Sequence, residues 1–189
     1  MHVIVTGGAG FIGSNLTAEF LRDGHRVTVL DSLARPGVEH NLEWLQARAP
    51  ADRLRFVCGD VRDADLVQSV VGAAGVDMVF HFAAQTAVTT SLVAPRDDLE
   101  VNVLGTHNVL EAVHHSRDSL APMLFYTSTN KVYGSLPHRQ STEARTRYHF
   151  ADPEADEHGI SELEPLDFHS PYGCSKGAAD QYVHDYARI

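Results

Sequence analysis

A glycine-rich turn near the amino terminus constrains the fold of this chain more than any other feature. The turn follows a short apolar run of β-branched residues at 3–6 and carries three evenly spaced glycines, Gly7, Gly10 and Gly13. An apolar-periodic stretch then continues to Leu21. The pattern predicts a strand, a tight turn and a helix whose first N–H groups, at Phe11 and Ile12, can receive a phosphate. The glycines allow the turn, the approach of backbone to a pyrophosphate and the packing of helix on strand.

A second strand is predicted directly after this helix. Gly24 ends the helix, residues 26–30 form an apolar run, and Asp31 stands at the end of that run. An acidic side chain at this place accepts hydrogen bonds from the ribose hydroxyls of a dinucleotide and repels a 2′-phosphate. The sequence therefore predicts NAD rather than NADP. Arg35 is close enough in sequence to meet an adenine or a phosphate, and a solvated surface arginine is the alternative.

Strands and helices continue to alternate along the chain. Apolar patterning predicts helices at 38–49, 64–74 and 101–116, and strands at 54–58, 77–82 and 124–127. Such alternation is typical of an α/β fold with a doubly wound parallel sheet. Ligands of these sheets bind at the carboxyl ends of the strands. Five predicted strand ends would meet there, at Gly7, Asp31, Asp60, Ala83 and Thr129.

Two later segments carry residues suited to moving a proton. Tyr172 and Lys176 are four residues apart just after Pro171, so a helix that opens at this proline places both side chains on one face. A tyrosine with an ordinary pKa of about 10 is a poor base at neutral pH, and a nearby ammonium favours its ionised form. The spacing alone is weak evidence, because any amphipathic helix can show it. Beside a dinucleotide site, it indicates a redox site.

These motifs together resemble the extended short-chain dehydrogenase/reductase family, and within it the nucleotide-sugar epimerases and dehydratases. The resemblance covers the whole chain and rests on motifs at 7–13, 59–63, 81–85, 102–106, 132–134 and 172–176. It implies a Rossmann-type fold, bound NAD and an enzyme that acts on a nucleotide sugar.

The resemblance also implies roles for individual residues. The implied catalytic residues are Thr129, which would bond the reacting hydroxyl, Tyr172 as the base, and Lys176, which would hold the nicotinamide ribose. Besides Tyr172 and Lys176, the implied cofactor contacts are Gly7, Gly10, Phe11, Ile12, Gly13, Asp31, Ser32, Arg35, Asp60, Val61, Phe82, Ala83, Ala84, Gln85, Asn102, Thr127 and Ser128. The implied substrate contacts are Gln85, Ser91, Thr129, Asn130 and Lys131.

The two residues after Thr129 bear on the reaction. The 4,6-dehydratases of the family carry Asp and Glu there, because eliminating water needs one group to protonate the leaving hydroxyl and another to remove a proton. This chain has Asn130 and Lys131 instead. An amide cannot act as the acid, so epimerisation by transient oxidation is favoured over dehydration.

Three segments narrow the resemblance further. Residues 128–134, 89–91 and 166–182 are similar to the 2-epimerases of the CDP-linked sugars paratose and tyvelose, a branch of the same family. The implied mechanism oxidises C2 to a 2-keto sugar, which turns over and takes the hydride back on its other face. The alternatives are a UDP- or dTDP-sugar 4-epimerase or another sugar-nucleotide oxidoreductase. A non-catalytic protein that binds NAD or a nucleotide sugar is an alternative of another class.

Chain length bears on the domain organisation. Members of the family are longer than 189 residues, and their second half forms most of the nucleotide-sugar pocket. We therefore expect residues 1–189 to be the NAD-binding Rossmann domain, with the carboxyl-terminal nucleotide-sugar domain absent from this chain. The same resemblance implies a homodimer through helices at 101–116 and 171–189.

Composition excludes several other classes of partner. The net charge of −10 gives nucleic acids and anionic membranes no electrostatic reason to bind. No apolar stretch is long enough to span a membrane, and the 12 histidines form no metal-binding motif. The two cysteines make no disulfide framework, and we expect a cytoplasmic protein with Cys174 as a buried thiol. A loop is predicted at 135–171, as a lid over the substrate.

Overall fold

The structure is a computed structural model that describes residues 1–50, 52–116 and 120–189. Strands and helices alternate in its first part: β1 His2–Thr6, α1 Phe11–Arg22, β2 Arg26–Asp31, α2 Val38–Gln46, β3 Leu54–Cys58, α3 Ala64–Val71 and β4 Met78–His81. The later elements are α4 Val88–Val93, α5 Pro95–Leu99, a π-helix Glu100–Leu104, α6 Gly105–His114, β5 Met123–Tyr126, a 3-10 helix Asn130–Tyr133, β6 Ser141–Glu143, β7 Tyr148–Phe150, α7 Pro153–His158 and α8 Ser170–Tyr186.

The first five strands form one parallel sheet in the order β3-β2-β1-β4-β5. The central strand β1 pairs with β2 on one side and with β4 on the other, so that Val3 lies opposite both Val27 and Met78. The strand order reverses at β1, and the carboxyl ends of all five strands lie along one edge. The predicted α/β class with a doubly wound parallel sheet is confirmed.

Both faces of the sheet are buried by helices. Successive residues of a strand point to opposite faces, so Ile4 packs with Val67 and Val109 on one face, while Val5 packs with Leu21 on the other. Strands that are buried on both faces read as continuous apolar runs, which explains the unbroken run at the start of the chain.

Two helices are shorter than predicted. The predicted helix at 64–74 ends at Val71, because Gly72 caps it and Gly75 adopts a left-handed φ of +77°. The predicted helix at 38–49 ends at Gln46. The Arg48 N–H bonds the Leu45 carbonyl three residues back, so the last turn tightens, and Pro50 disfavours helical conformation at Ala49.

The predicted helix at 101–116 is divided into two kinds of helix. Its first turn is the π-helix Glu100–Leu104, and the α-helical part ends at His114. The Thr106 hydroxyl donates a hydrogen bond of 2.6 Å to the Asn102 carbonyl inside this turn. Single π-turns are frequent at functional sites, and this one holds the predicted Asn102.

The segment at 135–171 is not the open loop that the sequence predicts. It contains the antiparallel pair β6 and β7, and the helix α7. Arg139 joins its parts by ion pairs of 2.6 Å to Asp152 and 2.7 Å to Glu164, whose side chain is buried. The segment is therefore a folded unit with its own salt-bridge network, and its role as a lid stays a prediction.

Candidate active site

The glycine-rich turn between β1 and α1 leaves no room for side chains at two of its positions. Gly7 has φ +67°, and a Cβ there would lie 2.6 Å from the Ala83 nitrogen after β4. A Cβ at Gly13 would lie 2.3 Å from the Gly7 oxygen. A Cβ at Gly10 would meet only that same oxygen, at 3.1 Å, so the outer side of the turn is open.

Replacing Gly13 by alanine is expected to lower the free energy of unfolding by about 2 kcal/mol, the usual cost of overpacking a rigid site. The added methyl group would press on backbone, which cannot move aside as a side chain does. Urea unfolding of the variant measures the loss. Gly10→Ala is the matched control and should cost clearly less, because its methyl group meets one atom at 3.1 Å. Equal losses in the two variants would contradict the assignment of close packing to Gly13.

Helix α1 begins with uncommitted backbone donors. Its cap, Gly10, supplies no side-chain hydrogen bond, and the first turn holds no acidic residue. Among the described residues, no hydrogen-bond acceptor faces the N–H groups of Phe11, Ile12 and Gly13. The side chains of Phe11 and Ile12 are exposed. Free N–H groups at a helix amino terminus form a site for a phosphate group.

Asp31 lies at the end of β2, beside the turn. Its two carboxylate oxygens accept hydrogen bonds from the N–H of Ala9 at 3.0 Å and of Leu33 at 2.9 Å. Each oxygen keeps a second lone pair that a ribose hydroxyl can use. Ser32 and Arg35 are exposed, and the Arg35 guanidinium has no ion pair within the described part of the chain.

The residues after β3 are held by a charged pair. Arg62 lies 2.7 Å from Asp60, and hydrogen bonds from its side chain hold the pKa of that carboxyl below the ordinary range. The Val61 side chain is buried, and a Cβ at Gly105 would lie 2.6 Å from it. The structure therefore places Asp60 at the sheet edge and the Val61 side chain in the core.

A buried histidine ties the loop after β4 to the rest of the site. His81 is 1% exposed and lies 2.6 Å from the Thr6 hydroxyl and 3.0 Å from that of Thr106. Burial lowers its pKa to about 3, so the ring is neutral at physiological pH. Thr6 also accepts a hydrogen bond from the Ala83 N–H at 3.3 Å, which fixes the path of the chain past Phe82.

The Gln85 segment is held by Asn102. The Asn102 side chain accepts a hydrogen bond from the Gln85 N–H at 2.9 Å and donates one to its carbonyl at 3.0 Å. The Gln85 side chain bonds Ala87 and the buried Asp98. Asn102 thus supports the loop that carries Ala83 and Ala84, and its contact with the cofactor stays a prediction.

Lys176 rests on an aromatic ring that the sequence analysis did not identify. The lysine is 4% exposed, and its Nζ lies 4.1 Å from the centroid of the Tyr126 ring. Burial lowers the pKa of Lys176 to about 8, against the raising effect of Asp180 and Asp98. Burial also raises the pKa of Tyr126, which remains a neutral phenol. The available signal was an aromatic residue at the end of β5, next to Thr127.

Tyr172 lies in the first turn of α8, as Pro171 predicts, and shares a helix face with Lys176. A Cβ at the next residue, Gly173, would lie 2.9 Å from the Lys131 carbonyl oxygen. The 3-10 helix therefore contacts α8 immediately beside Tyr172. The glycine in this motif has a packing reason that the sequence analysis did not identify.

Thr129 caps the 3-10 helix. Its hydroxyl accepts a hydrogen bond from the Lys131 N–H at 3.3 Å, which leaves its proton free to donate. Ser128, Asn130 and Lys131 are exposed around it, and Thr127 is half-buried. The structure thus gathers the predicted catalytic segments at one edge of the sheet.

Ser91 is the predicted substrate contact that lies deepest. It is fully buried, donates to the Val88 carbonyl at 2.7 Å and accepts from the Tyr172 N–H at 3.2 Å. The structure places Ser91 behind the start of α8. Its contact with substrate stays a prediction.

Cys174 is exposed, so the prediction of a buried thiol is wrong. At two residues from Tyr172 it points to another helix face, and its Sγ lies 3.9 Å from the Phe168 carbonyl oxygen. In the described ranges, no group of three or more His, Cys, Asp or Glu side chains is placed so that it could hold a metal ion. None of the described helices is both long and apolar enough to cross a membrane.

Comparisons with known proteins place the chain in a family. Residues 4–189 match the family described as GDP-mannose 4,6 dehydratase. The chain is 46% identical over 189 residues to CDP-paratose 2-epimerase of Salmonella typhi, and covers 100% of its own length and 54% of that protein. The chain spans about half the length of the curated relatives it matches.

Solved structures agree with this placement. DesIV, a dTDP-glucose 4,6-dehydratase from Streptomyces venezuelae with NAD and TYD bound, superposes with a TM-score of 0.75 at 35% identity, over 100% of this chain and 52% of that one. The Thermus thermophilus UDP-glucose 4-epimerase in complex with NAD gives 0.72 at 32% identity, over 100% and 51%. The chain belongs to the GDP-mannose 4,6 dehydratase family of extended short-chain dehydrogenases/reductases.

Proposed function

We propose that this chain is the cofactor-binding part of an NAD-dependent nucleotide-sugar epimerase, and that its substrate is a CDP-linked sugar of the paratose and tyvelose type, inverted at C2. The observation that carries the proposal is the pair Asn130 and Lys131 after Thr129, beside the helix of Tyr172 and Lys176. The 46% identity to a CDP-paratose 2-epimerase supports the choice of CDP sugar over UDP or dTDP sugar.

The turn between β1 and α1 fits the pyrophosphate of NAD. Its outer side is open at Gly10, and the three N–H groups of the first helical turn have no hydrogen-bond acceptor among the described residues. Asp31 has lone pairs for the ribose hydroxyls. We propose that these residues hold the adenine half, and that Tyr172 and Lys176 hold the other half. Two similar enzymes with NAD bound, DesIV and the Thermus thermophilus epimerase, support this choice of cofactor.

We propose a separate role in the reaction for each of three side chains, Tyr172, Thr129 and Lys176. When bound, NAD supplies the acceptor and later the donor of the hydride at the sugar carbon. Tyr172 takes the proton of the C2 hydroxyl and returns it after the keto sugar has turned over. Thr129 donates its free proton to that hydroxyl oxygen and so orients it. The Lys176 ammonium favours the ionised form of the tyrosine, because an opposite charge stabilises a phenolate.

The residues at 130 and 131 disfavour the dehydratase reaction of other family members. Elimination of water needs an acid for the leaving hydroxyl. Asn130 has no acidic proton, and Lys131 is an exposed cation that suits an anionic diphosphate better than proton abstraction from carbon. We therefore propose inversion without loss of water.

A product assay tests the proposal. The protein is incubated with CDP-paratose, CDP-tyvelose, UDP-glucose or dTDP-glucose, and the products are separated by chromatography. We expect interconversion of the two CDP sugars in D₂O without deuterium at C2, because the same hydride returns to that carbon. If only a UDP or dTDP sugar is converted, the result would contradict the CDP substrate and favour a 4-epimerase of UDP or dTDP sugars. Formation of a 4-keto-6-deoxy sugar would contradict the epimerase.

We also propose that the protein is a cytoplasmic homodimer. Cys58 and Cys174 are free and exposed, as is usual where thiols stay reduced. Leu99 and Leu104 are each 52% exposed near the helices at 101–116 and 171–189 through which we propose the subunits meet. Light scattering should give twice the monomer mass, and Leu104→Glu should give the monomer. A wild-type monomer at micromolar concentration would contradict the dimer.

A further inference from the structure

A fully buried carboxylate lies outside the set of residues that the sequence analysis selected. Asp98, in α5, is 0% exposed. Its Oδ1 accepts a hydrogen bond from the Gln85 side chain at 2.9 Å, and the Asn102 amide nitrogen lies 3.4 Å from the same oxygen. Its Oδ2 accepts a hydrogen bond from the Ser175 hydroxyl. A buried charge costs free energy unless it is well bonded, and these polar contacts on both oxygens meet that need.

These bonds connect three segments that approach the proposed active site. Gln85 follows β4, Asn102 lies in the π-helix, and Ser175 lies in α8 immediately before Lys176. Ser175 also accepts a hydrogen bond from Asn102 at 3.0 Å. The Ser175 hydroxyl has one proton, with the Tyr172 carbonyl at 3.1 Å as its other acceptor. A carboxylate is the stronger acceptor, so the hydroxyl is directed toward Asp98.

The negative charge of Asp98 also acts on the buried Lys176. The titratable groups that interact with Lys176 are Tyr126 of β5, His81 of β4, Asp98 of α5 and Asp180 of α8. Tyr126 and His81 are neutral. Asp180 and, to a smaller extent, Asp98 raise the pKa of Lys176 against burial. The Asp180 side chain is 27% exposed and lies 3.7 Å from His184, so solvent and a second partner weaken its effect.

We infer that Asp98 is a positioning residue for the proposed reaction: through Ser175 it holds the segment of α8 that carries Tyr172 and Lys176, and it places a buried negative charge beside that segment. The inference takes the catalytic meaning of Lys176 from the proposed function. A purely structural Asp98 would secure the helix without changing the titration of the lysine. A titration of Lys176, which needs no enzyme turnover, therefore distinguishes the charge role of Asp98 from a purely structural role.

The low number of lysines in the chain makes the titration of Lys176 simple to follow. Lys131 and Lys176 are the only lysines in the sequence. NMR of protein labelled with ¹³C-lysine therefore gives two side-chain signals, which Lys131→Arg assigns. Lys131 is exposed and provides the reference in every spectrum.

Asp98→Asn keeps the shape and removes the charge. We expect the titration midpoint of Lys176 to fall on the order of one pH unit, because an opposite charge nearby favours the ammonium. Asp97→Asn is the matched control, since Asp97 is the exposed neighbour and loses the same charge. It should leave the midpoint unchanged. Equal midpoints in wild type and Asp98→Asn would overturn the charge role, whatever the product assay gives.

Ser175→Ala tests the mechanical half of the inference, and does so even if Asp98→Asn fails to fold. It keeps the carboxylate and removes the bond to α8. We expect about tenfold faster hydrogen exchange of the α8 amides around Tyr172, from the loss of one bond to a charged group. The Lys176 midpoint should stay near that of wild type. Unchanged exchange would overturn the anchoring role of Asp98.

Discussion

Replacement of Tyr172 by phenylalanine is expected to reduce epimerase turnover by about 10²- to 10⁴-fold, the usual contribution of a positioned general base. Phenylalanine keeps the ring against the first turn of α8 and removes only the group that carries the proton. The Tyr172 N–H would still donate to Ser91, so the start of the helix should not move. NAD binding, followed by protein fluorescence, should therefore change little. Turnover is measured with the CDP sugar that the product assay identifies.

Tyr182→Phe is the matched control for this experiment. Tyr182 lies on the same helix, is 46% exposed, and loses the same hydroxyl without touching the proposed site. We expect its turnover to equal that of wild type. A Tyr172→Phe protein with undiminished function would favour the non-catalytic alternative, in which the chain binds NAD or a nucleotide sugar. Loss of NAD binding together with turnover would instead assign the hydroxyl to cofactor binding.

Replacement of Lys176 by methionine is expected to stabilise the protein while it removes activity. The pKa of Lys176 lies near 8 when folded, against 10.5 for the free side chain. Below pH 8 the folded state carries the full cost of the buried ammonium, since both states are then protonated. The lowered pKa alone corresponds to about 3 kcal/mol, and the lost contact of the cation with Tyr126 takes back about 1 kcal/mol. We therefore expect a gain of about 2 kcal/mol at pH 7.

The effect of this substitution should depend on pH, because Lys176 loses its proton near pH 8 in the folded protein. Between pH 8 and 10.5 the unfolded state binds more protons at this lysine than the folded state, so wild-type stability rises with pH in that window. The advantage of Lys176→Met should thus be largest at pH 7 and mostly gone by pH 10. Urea unfolding at both values measures it. Lys131→Met removes the exposed lysine and should change stability by less than about 0.5 kcal/mol. An advantage that is equal at both pH values would contradict the buried-charge explanation.

Much of the fold could be predicted because its signals are local. Unbroken β-branched runs mark strands buried on both faces, and Gly7 has the left-handed φ that its place in the turn requires. The start of α8 followed from Pro171 in the same way. Helix ends were less predictable. Residues 72–75 after α3 are all small, and Gly72 or Gly75 could each end the helix. The sequence does not show that the helix ends at Val71 with Gly72 as its cap.

The contacts that complete the site were less predictable, because they join segments distant in sequence. Tyr126 meets Lys176 across 50 residues, and Asp98 meets Ser175 across 77 residues. From its acidic neighbours, Asp98 would be expected to be solvent-exposed. The packing of α5 on α8 buries it, and the sequence alone does not show that contact. The folded segment at 135–171 was missed for a related reason, since its strands β6 and β7 have three residues each.

The π-turn before α6 gives the site an unusual sensitivity to chain length. The Gly105 N–H bonds the carbonyl five residues back, at Glu100, so this turn holds one residue more than an α-helical turn. Deletion of a single residue between 99 and 105 would restore regular helix without disturbing a strand or the glycine turn. The flanking residues would keep nearly the same faces, because five residues of a π-turn and four of an α-helix both make about one turn. Residues inside the turn would shift, Asn102 among them, and its two hydrogen bonds to Gln85 would be lost. The one extra residue of the π-turn is thus what lets the helix hold the Gln85 loop.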